Sequence, residues 1–275
     1  MVVIDCLPNM RLLVNERQMD LKDGLTLDQL RMAVKPEADV MVINGFPSQP
    51  GQTVHDGDKV VLIRKGEIPP ISELEVLMMA RHTPGVHAKL KEATVGIAGV
   101  GGLGSHVALA LARSGVGRLV IVDHDVVEPS NLNRQEYCID HLGMKKVHAM
   151  EQVLLRANPF VAVDAHDMFL DEETSREVFR DCDVVVECLD DATMKAEIIS
   201  SLLSGLPGVR VVAASGLAGS GPANDIVTRR HERLYMCGDG VSGVAPGKGL
   251  LATRVMVCAG HQANQAVRII LGEDG

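Results

Sequence analysis

Residues 95–135 read VGIAGVGGLGSHVALALARSGVGRLVIVDHDVVEPSNLNRQ, and this stretch decides the fold. It opens as an apolar run, 95–100, with the look of a buried strand. The run breaks into Gly99, Gly101, Gly102 and Gly104, a GxGGxG loop. A helical stretch follows over 106–113 and stops at Gly115 and Gly117. A second apolar run, 119–122, ends on Asp123. Strand, glycine loop, helix, strand and acid make the opening βαβ unit of a nucleotide-binding sheet. Glycines let the backbone approach a phosphate, and the helix start offers free N–H groups and a positive dipole end. Asp123, at the tip of the second strand, is placed to accept ribose hydroxyls. The competing reading is a tight strand-to-helix turn that needs glycine only for packing.

On the C-terminal side the alternation continues. Helical segments are expected over 143–157, 171–179 and 195–203, and strands over 161–166, 183–188 and 210–214. This pattern predicts an α/β domain with a mostly parallel sheet. Residues 215–249 hold eight glycines and little periodicity, and read as one long loop, functional or mobile. A helix over 250–271 closes the pattern.

On the N-terminal side the texture differs. Residues 1–10 read as a short extension. Two short strands then flank an Asn15-Glu16 turn, a helix spans 25–34 with Thr26 as its cap, and strands end at Asn44-Gly45 and cover KVVLIRK. The order ββαββ is that of a β-grasp, ubiquitin-like module over 11–67. Pro69-Pro70 then marks a boundary. Residues 68–93 are expected to be linker and helices, with a capping box at Ser72-Glu73-Leu74-Glu75 opening a helix through about Arg81. Residues 94–275 form the nucleotide-binding domain.

Hydrophobic residues make up 46% of the 275 and charged residues 23%, as in an ordinary globular protein. Aromatics are 2%, so the core must be built from Val, Leu, Ile, Ala and Met. A net charge of −9, with no long basic run, argues against nucleic-acid binding. No stretch has the apolar length of a membrane span, and the N-terminus lacks a basic leader region, so a cytoplasmic location is expected. The six cysteines are scattered, and none forms a CxxC pair, so no zinc site of paired type is expected. Cys182, Cys188 and Cys258 lie in apolar segments and read as core. Cys237 lies in the glycine-rich stretch and is the one candidate for sulfur handling.

Asp123, the 131–134 segment, Lys146 and Asp190 all follow strands or start helices, where ligands bind in such sheets. Two cations and two carboxylates around a phosphate-cradling loop suit a nucleoside triphosphate with a metal ion. Hydride transfer develops no phosphate charge, so a dehydrogenase is disfavoured. Simpler roles exist for each residue: Asp123 as a turn cap, Arg134 in an ion pair, Lys145 and Lys146 as a solvated first turn.

GVGGLG, VDHDVVEPSNLNRQ, GMKKVHA and VVVECLDD resemble the ThiF/MoeB/HesA family, bacterial relatives of ubiquitin-activating enzymes, over about 94–272. The expected fold is therefore α/β, a Rossmann-like, mostly parallel sheet of ThiF/MoeB type preceded by a small β-grasp domain. The resemblance implies ATP and Mg²⁺ as cofactors and adenylation of a carrier protein's C-terminal glycine by a homodimer. It implies that Asp123 binds the ribose, Asn131 and Arg134 the phosphates, Lys146 rather than Lys145 the phosphates, and Asp190 the Mg²⁺. The family usually has Asn where this chain has Asp191. Arg81 stands near the place of an arginine that relatives send from the partner subunit, though closer to the glycine loop.

VNERQMDL, VMVINGFP and VHDGDKVVLI resemble the sulfur carrier ThiS and its relative MoaD. Those carriers end in a free Gly-Gly, whereas here the chain runs on through Gly66-Glu67-Ile68. The module is thus not a working carrier as it stands, which leaves docking, dimerising or regulatory roles. The resemblance as a whole implies an adenylyltransferase of the ThiF subgroup with a ThiS-like N-terminus, acting on a separate ThiS-type carrier in thiamine thiazole sulfur transfer. A MoaD-like carrier, another carboxylate, or a regulatory homologue autoinhibited by its own module are the alternatives.

Overall fold

The computed structural model describes residues 9–80, 82 and 85–274, which form two compact units divided between His87 and Ala88. Cys6 and Arg81 lie outside the described residues.

In the first unit, β1 (Asn9–Val14) and β2 (Arg17–Lys22) pair antiparallel, with Met10 opposite Leu21. The strand thus starts two residues before the expected module boundary at 11, because Met10 is buried in the module's core. The hairpin turns at Asn15 and Glu16, both with positive φ (46° and 61°). Asn15 is held there by its side chain, which donates to the Leu62 carbonyl (3.2 Å) and accepts from the Leu62 N–H (2.8 Å). Helix α1 (Leu27–Val34) opens with the Thr26–Gln29 capping box. Strand β3 (Val40–Ile43) turns into a two-residue β4 (Phe46–Pro47), and β5 (Lys59–Ile63) completes the order β2-β1-β5-β3-β4. Alternation in β5 serves two faces: Val60 and Leu62 join the core with Leu27 and Leu30 of α1, whereas Val61 packs with Val42 and Ala80. Helix α2 (Ile71–Met78) supplies Val76 and Leu77 to that second cluster, so it belongs to this unit. Its N-cap is Pro70, without a side-chain cap bond, so the helix starts two residues earlier than the Ser72 capping box predicts. A short helix α3 (Val86–Glu92) leads to the first strand of the second unit.

That unit holds β6 (Thr94–Ala98), α4 (Gly102–Arg113), β7 (Arg118–Asp123), α5 (Lys146–Ala157), β8 (Ala162–Asp167), α6 (Glu172–Val178) and β9 (Val184–Glu187). They are followed by α7 (Ala192–Gly205), β10 (Arg210–Ala214), β11 (Val227–His231), β12 (Leu234–Gly238) and α8 (Ala252–Leu271). The strand order is β11-β12-β10-β9-β6-β7-β8, parallel except for β11. Order reverses between β6 and β9, the switch point where ligands bind outside the strand ends. β9 is buried along its whole length, as a central parallel strand must be. No helix among the described residues is long and apolar enough to cross a membrane.

The expectation of one loop over 215–249 is corrected. A hairpin, β11 and β12, stands inside it and adds two strands to the sheet. Its turn passes through Glu232 at φ 55° and carries no glycine, so the flanking glycines mask the strand pattern. The segment after it is pinned by Asp239. This carboxylate accepts from the N–H groups of Val241 and Ser242 (both 2.8 Å), from the Ser242 hydroxyl, and from Arg254 Nη2 of α8 (2.7 Å). Arg254 also donates to the carbonyls of Gly221 and Pro222, gathering both ends of the glycine-rich region onto α8. Burial opposes ionisation of Asp239, but the Ser242, Val241 and Arg254 bonds outweigh it and hold its carboxyl well below the usual range.

Arg254→Ala removes one partner of a buried pair and is expected to cost about 3–5 kcal/mol, read by urea unfolding. Because the Asp239 carboxyl is depressed in the folded state, its contribution is present above the unfolded value of about 3.9 and is lost as pH falls below it. The stability gap between wild type and Asp239→Asn should therefore narrow below about pH 4.

Candidate nucleotide site

The glycine loop lies at the switch point because of one close approach. A Cβ on Gly104 would stand 1.9 Å from the Gly99 carbonyl oxygen, so only glycine lets α4 rise directly from the end of β6. Gly99 turns the chain there at φ +85°. Gly101 and Gly102 are different: a Cβ on either meets nothing nearer than 3.6 Å. Both line a cavity of about 560 Å³ at the strand ends. The packing reading of the motif thus holds for Gly99 and Gly104, and the ligand reading is free to apply to Gly101 and Gly102. The first turn of α4 leaves backbone N–H groups without helical partners at this cavity.

Helix α4 also carries the next wall. Ser105 Oγ accepts from the Glu136 N–H (3.2 Å), and the His106 ring lies 2.6 Å from Glu136 Oε1 and 3.1 Å from the Arg134 carbonyl. Residues 134–136 are thereby fastened over the glycine loop. Arg134 Nη1 donates to the Ser130 carbonyl (3.0 Å) and Asn133 Oδ1 (2.9 Å), and its Nε is buried with no partner among the described residues. Gln135 Oε1 beside it is likewise buried and unpartnered. Gln135 lines the same cavity and stands in the SNLNRQ stretch, but only the fold shows which side it faces. Asn131 is buried and spends its side chain on the local turn, accepting from the Glu128 N–H at 3.0 Å.

Asp123 does act as a turn cap. Its two oxygens accept from the N–H groups of Val100 (2.8 Å) and Asp125 (2.9 Å), and it lines the cavity at the end of β7. Lys146, at the start of α5, is buried and reaches the cavity, but its Nζ is held by Asp125 Oδ2 at 2.7 Å. That hydrogen bond lowers the Asp125 carboxyl. Asp125 was not expected at the site; its signal was the second acid of VDHD. Lys145 turns the other way, toward the His124 carbonyl and Asp167 (both 3.0 Å). Tyr137 ties the loops together, donating to the Val100 carbonyl at 2.7 Å.

Across the cavity, β9 ends in a turn that presents Asp190. Its carboxylate is exposed, lines the cavity, and has no hydrogen-bond or ion-pair partner among the described residues. Asp191 caps α7, accepting from the N–H groups of Thr193 (2.9 Å) and Met194 (2.8 Å). Its charge therefore faces a helix N-terminus, which favours it. Ser242, Gly243 and Val244 of the pinned segment complete the wall.

The expectation that Cys237 sits in the glycine-rich loop is corrected. It lies on β12, buried between the hairpin and α8, and burial pushes its thiol up to about 11. That placement is a core position and offers no support for a nucleophilic role. Cys182, Cys188 and Cys258 are buried as expected, with thiols raised by desolvation.

Residues 75–275 match the ThiF family and residues 10–66 match the ThiS-like ubiquitin family. Curated relatives include the Adenylyltransferase and sulfurtransferase UBA4 of Kluyveromyces lactis, 40% identical over 134 residues, covering 48% of this chain and 30% of that protein. The same-named protein of Candida glabrata is 38% identical over 163 residues, covering 58% of this chain and 37% of the relative. The chain thus spans about a third of the length of the curated relatives it matches. Among solved structures, E. coli tRNA N6-threonylcarbamoyladenosine dehydratase TcdA in complex with ATP superposes at a TM-score of 0.67 with 18% identity. That superposition covers 75% of this chain and 98% of TcdA, and shows a shared fold. With the family match covering more than half of it, the chain belongs to the ThiF family.

Gly102→Ala and Gly104→Ala should separate the two glycine roles. Gly104→Ala forces α4 off β6 and is expected to destabilise by at least about 1–3 kcal/mol, the range for overpacking. Gly102→Ala, whose Cβ meets nothing nearer than 3.6 Å, should keep the thermal midpoint and weaken nucleotide binding in calorimetry, because its methyl enters the cavity that Gly102 lines.

Proposed function

We propose that this ThiF-family chain transfers AMP from ATP to the free C-terminal glycine carboxylate of a separate ThiS-type sulfur carrier, releasing pyrophosphate. The observation that carries this reading is that two residues lining one cavity have unpartnered groups: the buried Arg134 Nε and the exposed Asp190 carboxylate. Buried polar atoms are normally satisfied, so an orphaned guanidinium nitrogen beside a helix N-terminus fits an anion. Two further observations support the reading. TcdA, which shares the fold, is known in complex with ATP. The UBA4 relatives are named adenylyltransferases and sulfurtransferases.

The chain's own residues account for the chemistry. The glycine loop and the first turn of α4 hold the nucleotide phosphates by backbone N–H groups. Arg134 neutralises phosphate charge as it grows. Lys146 is released to the phosphates when they compete with Asp125. Asp123 sits at the end of β7 for the ribose. A glycine carboxylate is ionised at neutral pH, with a pKa of ~3.5, so attack on the α-phosphorus needs no general base. Positioning and charge neutralisation then supply the rate.

The donor set also fits a hard divalent cation at Asp190, whose carboxylate oxygens have no competing protein donor. The nearby Asp123, His124 and Asp125 group is a poorer candidate, since its carboxylates already accept from Val100, Asp125 and Lys146. Mg²⁺ at Asp190 would supply charge neutralisation for the departing pyrophosphate.

The acceptor is a separate protein, because the ThiS-like unit of this chain has no free terminus: after β5 the chain continues through Gly66-Glu67-Ile68. The reading extends to a cytoplasmic homodimer working in thiamine thiazole sulfur transfer, with a MoaD-type carrier as the nearest alternative acceptor.

The test is ATP–pyrophosphate exchange with purified ThiS-type and MoaD-type carriers. Exchange is expected with a ThiS-type carrier and not without one. Arg134→Ala and Asp190→Ala should each lower it by at least about a hundredfold while the circular dichroism spectrum is kept. Near-normal exchange in both variants, or none in the wild type with any carrier, overturns the assignment.

A further inference from the structure

Strand β9 reads VVVE, and its last residue is a glutamate with no exposed surface. Glu187 pairs in register with Ala98, the residue just before the glycine loop. Its carboxylate is held by Lys195 and by the main-chain N–H groups of Leu189 and Ala214. Oε2 accepts from Lys195 Nζ at 2.5 Å, and Oε1 accepts from the Leu189 N–H at 2.7 Å. Its main-chain carbonyl accepts from Gln262 of α8 at 2.9 Å. The turn from Cys188 to Asp191 is thus fastened at one end by Glu187 and at the other by the Asp191 cap on α7. The one acidic side chain of that turn left free is Asp190, the carboxylate that lines the cavity. Lys195 lines the cavity too, one turn into α7, with 19% of its side chain exposed.

A buried ion pair is a poor device for stability. Its desolvation cost commonly cancels its attraction, and a well-packed apolar pair does as well or better. Its strength is geometric: it fixes the residues that carry it. Here the two partners sit on either side of the turn that presents Asp190. We propose that Glu187 and Lys195 are positioning residues for Asp190, and that their ion pair holds the Asp190 carboxylate where a nucleotide-bound divalent cation can reach it. This rests on the reading of Asp190 given above. Neither residue touches the reacting atoms; both act through the turn.

The test uses the full chain and Mn²⁺ with ATP as the probe, with free Mn²⁺ read by electron paramagnetic resonance. Lys195→Met and Glu187→Gln should each weaken Mn²⁺ binding in the presence of ATP by about 10–100-fold, the range for groups that orient metal ligands. ATP binding without divalent metal should change less than about threefold. Lys195→Arg, which keeps a cation in reach, should restore the metal affinity to within about threefold. In an Asp190→Asn background, Lys195→Met should add less than about twofold, because its route runs through Asp190. The double variant Glu187→Gln/Lys195→Met guards against simple unfolding: its thermal midpoint should stay near that of the wild type while its Mn²⁺ affinity falls. Unchanged Mn²⁺ affinity in folded Lys195→Met overturns the proposal, as does an undiminished effect of Lys195→Met without Asp190. If the wild type binds Mn²⁺ with ATP yet exchanges no pyrophosphate with any carrier, the adenylation reading falls and the positioning role is still decided. Absence of Mn²⁺ binding with ATP in the wild type overturns both.

Discussion

The contact on which the second unit depends is backbone against backbone. At Gly104, helix α4 comes so near the Gly99 carbonyl that no side chain fits between them. Without that approach the helix would start farther out, and its N-terminus would not stand over the sheet at the switch point. The consequences run along α4. Its fourth residue, Ser105, and its fifth, His106, reach the 134–136 segment and bring Arg134 and Gln135 over the loop. One steric allowance therefore positions both the dipole end and the guanidinium that face the cavity.

Charges around the cavity fall into two kinds. Three pairs are already satisfied within the protein: Asp125 with Lys146, Glu187 with Lys195, and Asp239 with Arg254. Asp125–Lys146 and Asp239–Arg254 join residues 21 and 15 apart, and Glu187–Lys195, 8 apart, spans a single turn. Arg254 also keeps a buried Nε without a partner, but it does not line the cavity; of the charged residues that do, Arg134 has an unpartnered buried nitrogen and Asp190 a carboxylate with no partner among the described residues. Buried polar atoms left unsatisfied cost free energy unless something else completes them. The contrast between paired groups and the unpartnered Arg134 Nε and Asp190 carboxylate is the ground on which we propose a charged ligand for this cavity.

The fold was largely legible in the chain because its signals are local. Alternation in β5, the Thr26–Gln29 box, the apolar run of β9 and the strand–glycine–helix order of 95–113 each act within a few residues. Legibility failed where the signal was diluted or non-local. The β11–β12 hairpin carries no turn glycine and sits among many others, so it read as loop, and Cys237 with it. Of the site, the positions of Gly99, Asp123, Arg134, Lys146 and Asp190 around one cavity follow from motif and strand-end logic. Their partners did not: Asp125, Gln135, Glu187 and Lys195 look like ordinary polar residues until packing shows what they face.

By itself the sequence determined a two-part chain, a β-grasp module without a free carboxyl terminus followed by a parallel nucleotide-binding sheet, since periodicity, caps and glycine spacing are properties of short segments. Tertiary structure alone decided which charges are spent and which are free. Whether Lys146 is available depends on what lies 3 Å away, and that neighbour, Asp125, is 21 residues off in sequence. The same holds for the two kinds of glycine in GVGGLG. Only the meeting of α4 with β6 shows that Gly99 and Gly104 serve the backbone, while Gly101 and Gly102 leave room for a ligand.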